Sequence, residues 1–269
     1  MKKILKHIYD TCYDINLNID GSNAKDAHFW AETSKTRFAL TAEKIINYSD
    51  KKEKIRILNA SGLGSGDHDI SIVKYLKDSG FSFEWDVYDS PDNPYLEKEK
   101  LKNYINGLNI NLMFFDYAKI PHQDGKKYDV ILFTEIAEHL DHSILLKALN
   151  YLNEKIEDDG KIIITTPNML WSVARFKNLF GFEGNEFYGE GNLNLDKNVY
   201  GHIVYYTPQR LQRLVEDCGF KKVELFTFDW LPAPLFANFI SLFAKASKGT
   251  IFLSVTKDNN NKRKIPFAV

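Results

Sequence analysis

Cysteine is scarce in this chain: only Cys12 and Cys218 occur in 269 residues, too few and too far apart for a zinc spacing or a disulfide framework. Both read as ordinary thiols in a reducing compartment. Charge of one sign is lacking as well, with 35 Lys and Arg against 36 Asp and Glu and a formal net charge of -1. The short Lys262-Arg263-Lys264 run makes no basic stripe, so no nucleic-acid partner is expected. No apolar run reaches the length of a membrane span, since the window from Trp230 to Ala246 is broken by Pro232 and Pro234. Behind the basic start Met1-Lys2-Lys3 come Asp10, Asp14 and Asp20, where a signal peptide would need an apolar stretch. These absences point to a cytoplasmic, enzyme-sized chain whose 44% hydrophobic content supplies a substantial core. Oligomeric state is not encoded in any of this.

Glycine, by contrast, is concentrated where it counts. Ile55, Ile57 and Leu58 form a short apolar run that ends in Gly62, Gly64 and Gly66 and passes into a helical pattern from Ile70 to Leu76. A buried strand, a Gly-x-Gly-x-Gly turn and a helix N-terminus together bring backbone N–H groups and a positive dipole end to a polar ligand. The next apolar run, Phe81 to Asp89, stops at an acid before Ser90-Pro91, where a ribose hydroxyl would need an acceptor.

The same rhythm continues along the chain. A helix is expected over Leu96 to Asn106, a strand over Leu108 to Phe115 running into Asp116, and a strand over Tyr128 to Thr134 leading into Glu135 and His139. A helix over Leu145 to Ile156 exits through Asp158-Asp159-Gly160, and the fifth strand runs from Lys161 to Thr166. Strands over Val223 to Phe228 and Thr250 to Thr256 follow, with helices over Gln209 to Cys218 and Leu235 to Ala246. Alternating strands and helices imply an α/β chain with a Rossmann-like, doubly wound, mostly parallel seven-stranded sheet. Residues 1–52 form a helical N-terminal extension with Phe38, Leu40, Ile45 and Ile46 on one helix face, packed over the sheet edge or the ligand mouth. The catalytic domain spans 53–257, an acceptor-binding insertion 169–206 follows the fifth strand, and 258–269 is a polar tail.

With those stretches in view, the chain resembles the class I S-adenosylmethionine-dependent methyltransferases. Within them it is similar to the bacterial small-molecule group that includes ubiquinone-pathway-like O-methyltransferases and methyltransferases of surface-polysaccharide clusters. The resemblance covers residues 55 to 256 and rests on Gly62-Leu63-Gly64-Ser65-Gly66, Asp89-Ser90-Pro91, Asp116, Tyr128 to Leu140, Gly160 to Asn168, and His202 followed by Thr207-Pro208. It implies S-adenosylmethionine as cofactor and S-adenosylhomocysteine as product. Gly62, Gly64 and Gly66 would meet the methionine part, Asp89 and Ser90 the ribose and Asp116 the adenine, with Tyr117 and Thr134 beside them; Arg37, outside the span of the resemblance, is a candidate from its position in the N-terminal extension to close over the methionine end. One departure stands out: the family's usual acid two residues before the first glycine is Ala60 here, so Asn59 or a backbone carbonyl would have to take its part.

Methyl transfer from a sulfonium needs an aligned nucleophile and, for a hydroxyl acceptor, a base. The base candidates are His202, His139 and Glu135. Trp171, Arg175, Tyr188, Tyr205 and Tyr206 are candidates to line the pocket for a small polar acceptor, such as a sugar, a sugar nucleotide or a capsule phosphoramidate. His139 and His142 share a helical spacing beside Glu135 and Glu138, yet Asp141 and His142 read as an exposed helix start, and no metal is expected. Two other readings use the same turn: a nicotinamide-dependent oxidoreductase or epimerase, which would call for a Tyr-x-x-x-Lys pair that the chain does not present convincingly, and a cofactor-binding partner without catalysis.

Overall fold

The structure, a computed structural model, describes residues 1–49, 52–119, 125–170, 204–229 and 249–259. The helix expected over Leu235 to Ala246 and nearly all of the insertion after the fifth strand lie outside the described residues.

Seven strands form one sheet in the order β3-β2-β1-β4-β5-β7-β6. They are β1 (Ile55–Asn59), β2 (Phe83–Asp89), β3 (Ile110–Phe114), β4 (Tyr128–Thr134), β5 (Ile156–Pro167), β6 (Phe220–Phe228) and β7 (Thr250–Lys257). β1 pairs in parallel with β2 and β4, and β2 with β3, whereas β7 runs antiparallel to both β5 and β6. This is the α/β, mostly parallel arrangement that alternating apolar strands and helices imply.

Two compact units divide the chain, Met1–Leu132 with Lys155–Lys161, and Phe133–Glu154 with Ile162–Val269. In the first, α1 (Lys2–Ile15) and α2 (Ala24–Ser49) are joined by a π-helical turn and a left-handed Gly21, and α3 (Asp67–Asp78) and α4 (Glu99–Leu108) connect the strands. Its core is built from Ile57, Leu58, Ile70, Val73, Trp85 and Val87, all at or near zero exposure. In the second unit, α5 (His142–Lys155) and α6 (Pro208–Asp217) accompany β5, β6 and β7, and Ile251, Phe252 and Leu253 fill the centre of β7.

Several boundaries differ from the sequence reading. The N-terminal helices pack on each other and on α3, the helix that follows the glycine turn. On α2 only Phe38 and Ile45 of the four expected residues are buried, because a step of about 100° per residue turns Leu40 away from Phe38. The helix expected from Leu96 splits into a 3-10 turn (Pro94–Glu97) and α4, which a left-handed Asn109 ends, so β3 starts only at Ile110. Asp158-Asp159-Gly160 does not close a helix; it belongs to β5. Glu157 pairs with Arg56 at 2.6 Å and Asp159 with Lys52 at 3.3 Å, so these charges are partnered along a strand. Gly160 serves close packing there, since a Cβ would come within 2.7 Å of Ile156 and 3.1 Å of the Asp129 carbonyl. β6 also begins early, at Phe220, directly after the left-handed Gly219.

Candidate active site

The first unit gathers the glycine turn and the acid of β2. Gly62, Gly64 and Gly66 all take positive φ, at 95°, 56° and 88°, a backbone region that residues with a Cβ enter at a cost. Gly66 N–H closes the turn on Leu63 O at 2.9 Å, and α3 starts at the next residue. A Cβ at Gly62 would stand 3.3 Å from Asp89 Oδ1, while one at Gly64 would meet nothing within 4 Å. The turn is thus pressed against the acid on one side and open at its tip.

Asp89 ends β2 with its carboxylate held from three directions. Oδ2 accepts from Leu63 N–H at 3.1 Å and from the Asn93 side-chain amide at 2.6 Å, and Oδ1 accepts from Ser90 N–H at 2.7 Å. Burial raises the Asp89 pKa and the nearby Asp69 charge adds to that, against the three donors, which pull it down. The residues fit the nucleoside end of S-adenosylmethionine: an ionisable acid at a strand end beside a cradle that side chains would fill.

Inside the turn, Asn59 answers the question raised by Ala60. Its side-chain amide donates to both oxygens of Asp69 and to Gly62 O, and its own oxygen accepts from Ser61 N–H. Asp69 lies in the first turn of α3, fully buried, and also accepts from Trp85 Nε1 at 2.6 Å. Asn59 and Ala60 are buried too, so Asn59 is committed to shaping the turn from within. The sequence held no local sign of this pairing, because Asn59, Asp69 and Trp85 come from three different elements.

The other expected cofactor residues are placed as follows. Phe115 N–H donates to Asp89 O at 2.9 Å, which brings the chain after β3 alongside the end of β2. Asp116 itself is exposed, and its carboxylate accepts from Ala118 N–H in its own turn and lies 3.8 Å from Lys119 Nζ. Tyr117 is buried and its hydroxyl donates to Ala60 O at 2.5 Å, so it ties the β3 loop to the end of β1. The ring of Phe115 stacks on Tyr88 at 4.3 Å. Arg37 lies over the Phe38 ring, which packs edge-on against His68 at 4.6 Å, near the start of α3.

The second unit holds the remaining described candidates. Thr134 ends β4 in a buried position, and Glu135 follows with a left-handed φ of 54° while its N–H donates to Thr165 O. A non-glycine residue held there is the kind of backbone strain found at functional turns. A one-turn 3-10 helix carries Glu138 and His139. Glu138 is buried, accepts from the Thr166 hydroxyl at 2.8 Å and lies 4.0 Å from His139 Nε2. Tyr206 is buried, and burial pushes its pKa up to about 12, so its hydroxyl stays protonated near neutral pH. Tyr205 is half-buried, and its carbonyl accepts from Arg210. His202, Trp171, Arg175 and Tyr188 lie outside the described residues.

Asp141 accepts from Ser143 and Ile144 N–H at the start of α5 and His142 is exposed, the geometry of a helix cap. Among the described residues no group of three or more His, Cys, Asp and Glu is arranged to hold a metal. No helix among them is long and apolar enough to cross a membrane. Both cysteines are buried and unpaired with each other.

Comparison with known proteins places this geometry. A family profile described as a methyltransferase domain matches residues 34–225. The fold is similar to the pyocyanin biosynthetic protein PhzM, at 15% identity over 87% of this chain with a TM-score of 0.54. It is also similar to magnesium protoporphyrin IX methyltransferase (ChlM) from Synechocystis PCC 6803 with bound S-adenosylhomocysteine, at 12% identity, 0.54 TM-score and 95% of this chain. LepI in complex with S-adenosylmethionine matches at 13% identity, 0.51 TM-score and 80% of this chain. The chain spans 58% of PhzM and 46% of LepI but 99% of ChlM. No curated protein matches the sequence significantly. A glycine turn pressed on a strand-end acid, in a seven-stranded sheet of this order, agrees with the profile: the chain belongs to the methyltransferase domain family, as an S-adenosylmethionine-dependent methyltransferase.

Proposed function

We propose that the protein transfers the methyl group to an oxygen of a small polar acceptor, with His139 as the base that takes the acceptor's proton. Bound S-adenosylmethionine supplies a methyl group on a sulfonium, a leaving group that needs no acid. The chain's own residues have then to orient the acceptor and accept a proton. The carrying observation is the placement of His139: its imidazole Nε2 lies 4.0 Å from the Glu138 carboxylate, which the Thr166 hydroxyl anchors. A carboxylate beside an imidazole favours the protonated form that a base must pass through. Tyr206, with its proton held up to about 12, suits hydrogen bonding to an acceptor better than removing a proton from it.

Sugars, sugar nucleotides and capsule phosphoramidates are the acceptor classes this reading favours, on the resemblance to surface-polysaccharide enzymes. The Cofactor side rests on Asp89, Ser90 and the three glycines, and the acceptor side on Tyr205 and Tyr206 together with Trp171, Arg175, Tyr188 and His202. The test is incubation with isotopically labelled S-adenosylmethionine and a panel of these acceptors, with products read by mass and by nuclear magnetic resonance. Label on a hydroxyl or phosphoramidate oxygen, falling by about a hundredfold in His139→Ala, is the expected result. Label on nitrogen or carbon, or full turnover in His139→Ala, overturns it. Titration with NAD in parallel separates the oxidoreductase reading, which requires NAD to bind where S-adenosylmethionine does not.

A further inference from the structure

The geometry points to Asn93 as the positioning residue that couples the ribose acid to the glycine turn, an inference that rests on the cofactor reading of Asp89. Four of its hydrogen bonds converge on this task. The side-chain amide donates to Asp89 Oδ2 at 2.6 Å and to Gly64 O at 3.0 Å, so one nitrogen links the acid of β2 to the open tip of the turn. The side-chain oxygen accepts from Tyr95 N–H at 2.9 Å and caps the 3-10 turn that Pro94 opens. Asn93 N–H donates to Ser90 O at 3.2 Å, which closes the loop back on the residue after the acid.

The consequence is a division of labour within one carboxylate. A carboxylate offers about four lone-pair sites. Leu63 and Asn93 take those of Oδ2, and Ser90 takes one of Oδ1. Acceptor capacity is therefore left on Oδ1, and the Asn93 bond, with those from Leu63 and Ser90, holds the plane of the carboxyl group in one orientation. Asn93 thereby fixes how the carboxylate is oriented toward the ribose and where the Gly64 tip stands relative to it. Aspartate in its place would put a second carboxylate against Asp89, and alanine would release both links at once.

The charged group acting on Asp89 is Asp69 of α3, which works in the same direction as burial, while Asn93, Ser90 and Leu63 oppose them as donors. Removing the Asn93 donor therefore moves protonation of Asp89 to higher pH, a change that a merely structural role would not produce. The experiment is calorimetric titration of the full-length protein with S-adenosylhomocysteine from about pH 5 to about pH 8, with thermal melting of each ligand-free variant as a fold control. For Asn93→Ala, affinity is expected to fall by about tenfold or more, as for a lost bond to a charged group, and the acid limb of binding to move upward. Asn93→Asp is expected to show a larger loss and a larger upward move. Asn93→Ser, whose hydroxyl keeps one donor, should fall between wild type and alanine, and it carries the test if alanine fails to fold. Wild-type affinity in Asn93→Ala, or weaker binding with an unmoved pH profile, overturns the inference. Failure of the cofactor reading itself is distinguishable, since the wild-type protein would then take up no S-adenosylhomocysteine at any pH.

Discussion

The side-chain amide of Asn59 donates to both oxygens of Asp69, at 3.0 and 2.8 Å, with neither residue exposed to solvent. The acid that supports the glycine turn thus stands on α3 and the amide on β1. An acid placed at Asn59 would meet Asp69 with no donor between them. Asn59→Asp is therefore expected to destabilise the protein by about 3–5 kcal/mol and Asn59→Ala by about 2–3 kcal/mol. Exchanging the pair, Asn59→Asp with Asp69→Asn, restores an amide facing a carboxylate and should recover most of the loss. Urea denaturation of the two single variants and the double one measures the coupling, and a double variant no more stable than the sum of its singles would refute it.

The glycines of the turn differ in what they do. A Cβ at Gly66 would stand 2.7 Å from Leu101 Cδ1 and 2.9 Å from Ile70 Cδ1, both in buried side chains, at a φ of 88°. Gly66→Ala should cost about 2–3 kcal/mol of stability. At Gly64 the same methyl group meets open space, so Gly64→Ala should cost only about 1 kcal/mol, for its positive φ. Its effect falls on the ligand: the methyl occupies the approach to the tip, and binding of S-adenosylhomocysteine should drop sharply. Equal binding by Gly64→Ala and wild type would show that the cofactor does not lie against that tip.

Far from the turn, Lys52 reaches Asp129 at 2.6 Å and Asp159 at 3.3 Å. Burial works against its charge, yet the bonds to Asp129 and Asp159 prevail and raise its pKa above the ordinary 10.5. A base with a raised folded-state pKa contributes stability that is complete below 10.5 and disappears as pH climbs through the folded value. Lys52→Ala should therefore lower the unfolding free energy by about 1 kcal/mol near neutral pH, and the gap to wild type should close in strongly alkaline buffer. A gap that stays constant across that range would exclude the ion pair as its source.

How much of this was legible beforehand follows from where each interaction lies along the chain. The glycine turn could be read because Ile55 to Gly66 is one continuous segment, and Asp89 because a strand that ends in an acid before Ser-Pro shows its boundary locally. The start of β5 could not be read, since charged Glu157 and Asp159 look like a loop until Arg56 and Lys52 are brought beside them. Asn93 shows the same split: an Asn before Pro94 is readable as a cap, but its reach to Gly64, 29 positions away, is not.

Order along the backbone, then, was enough to determine the succession of seven strands, the turn with three glycines and the acid that answers it, because apolar periodicity and steric freedom at glycine are properties of neighbouring residues. Tertiary structure alone decided which polar groups are consumed in building the turn and which remain for a ligand. Hydrogen bonds such as those from Asn59 to Asp69, Tyr117 to Ala60 and Asn93 to Asp89 depend on distances that exist only once the strands have been laid side by side.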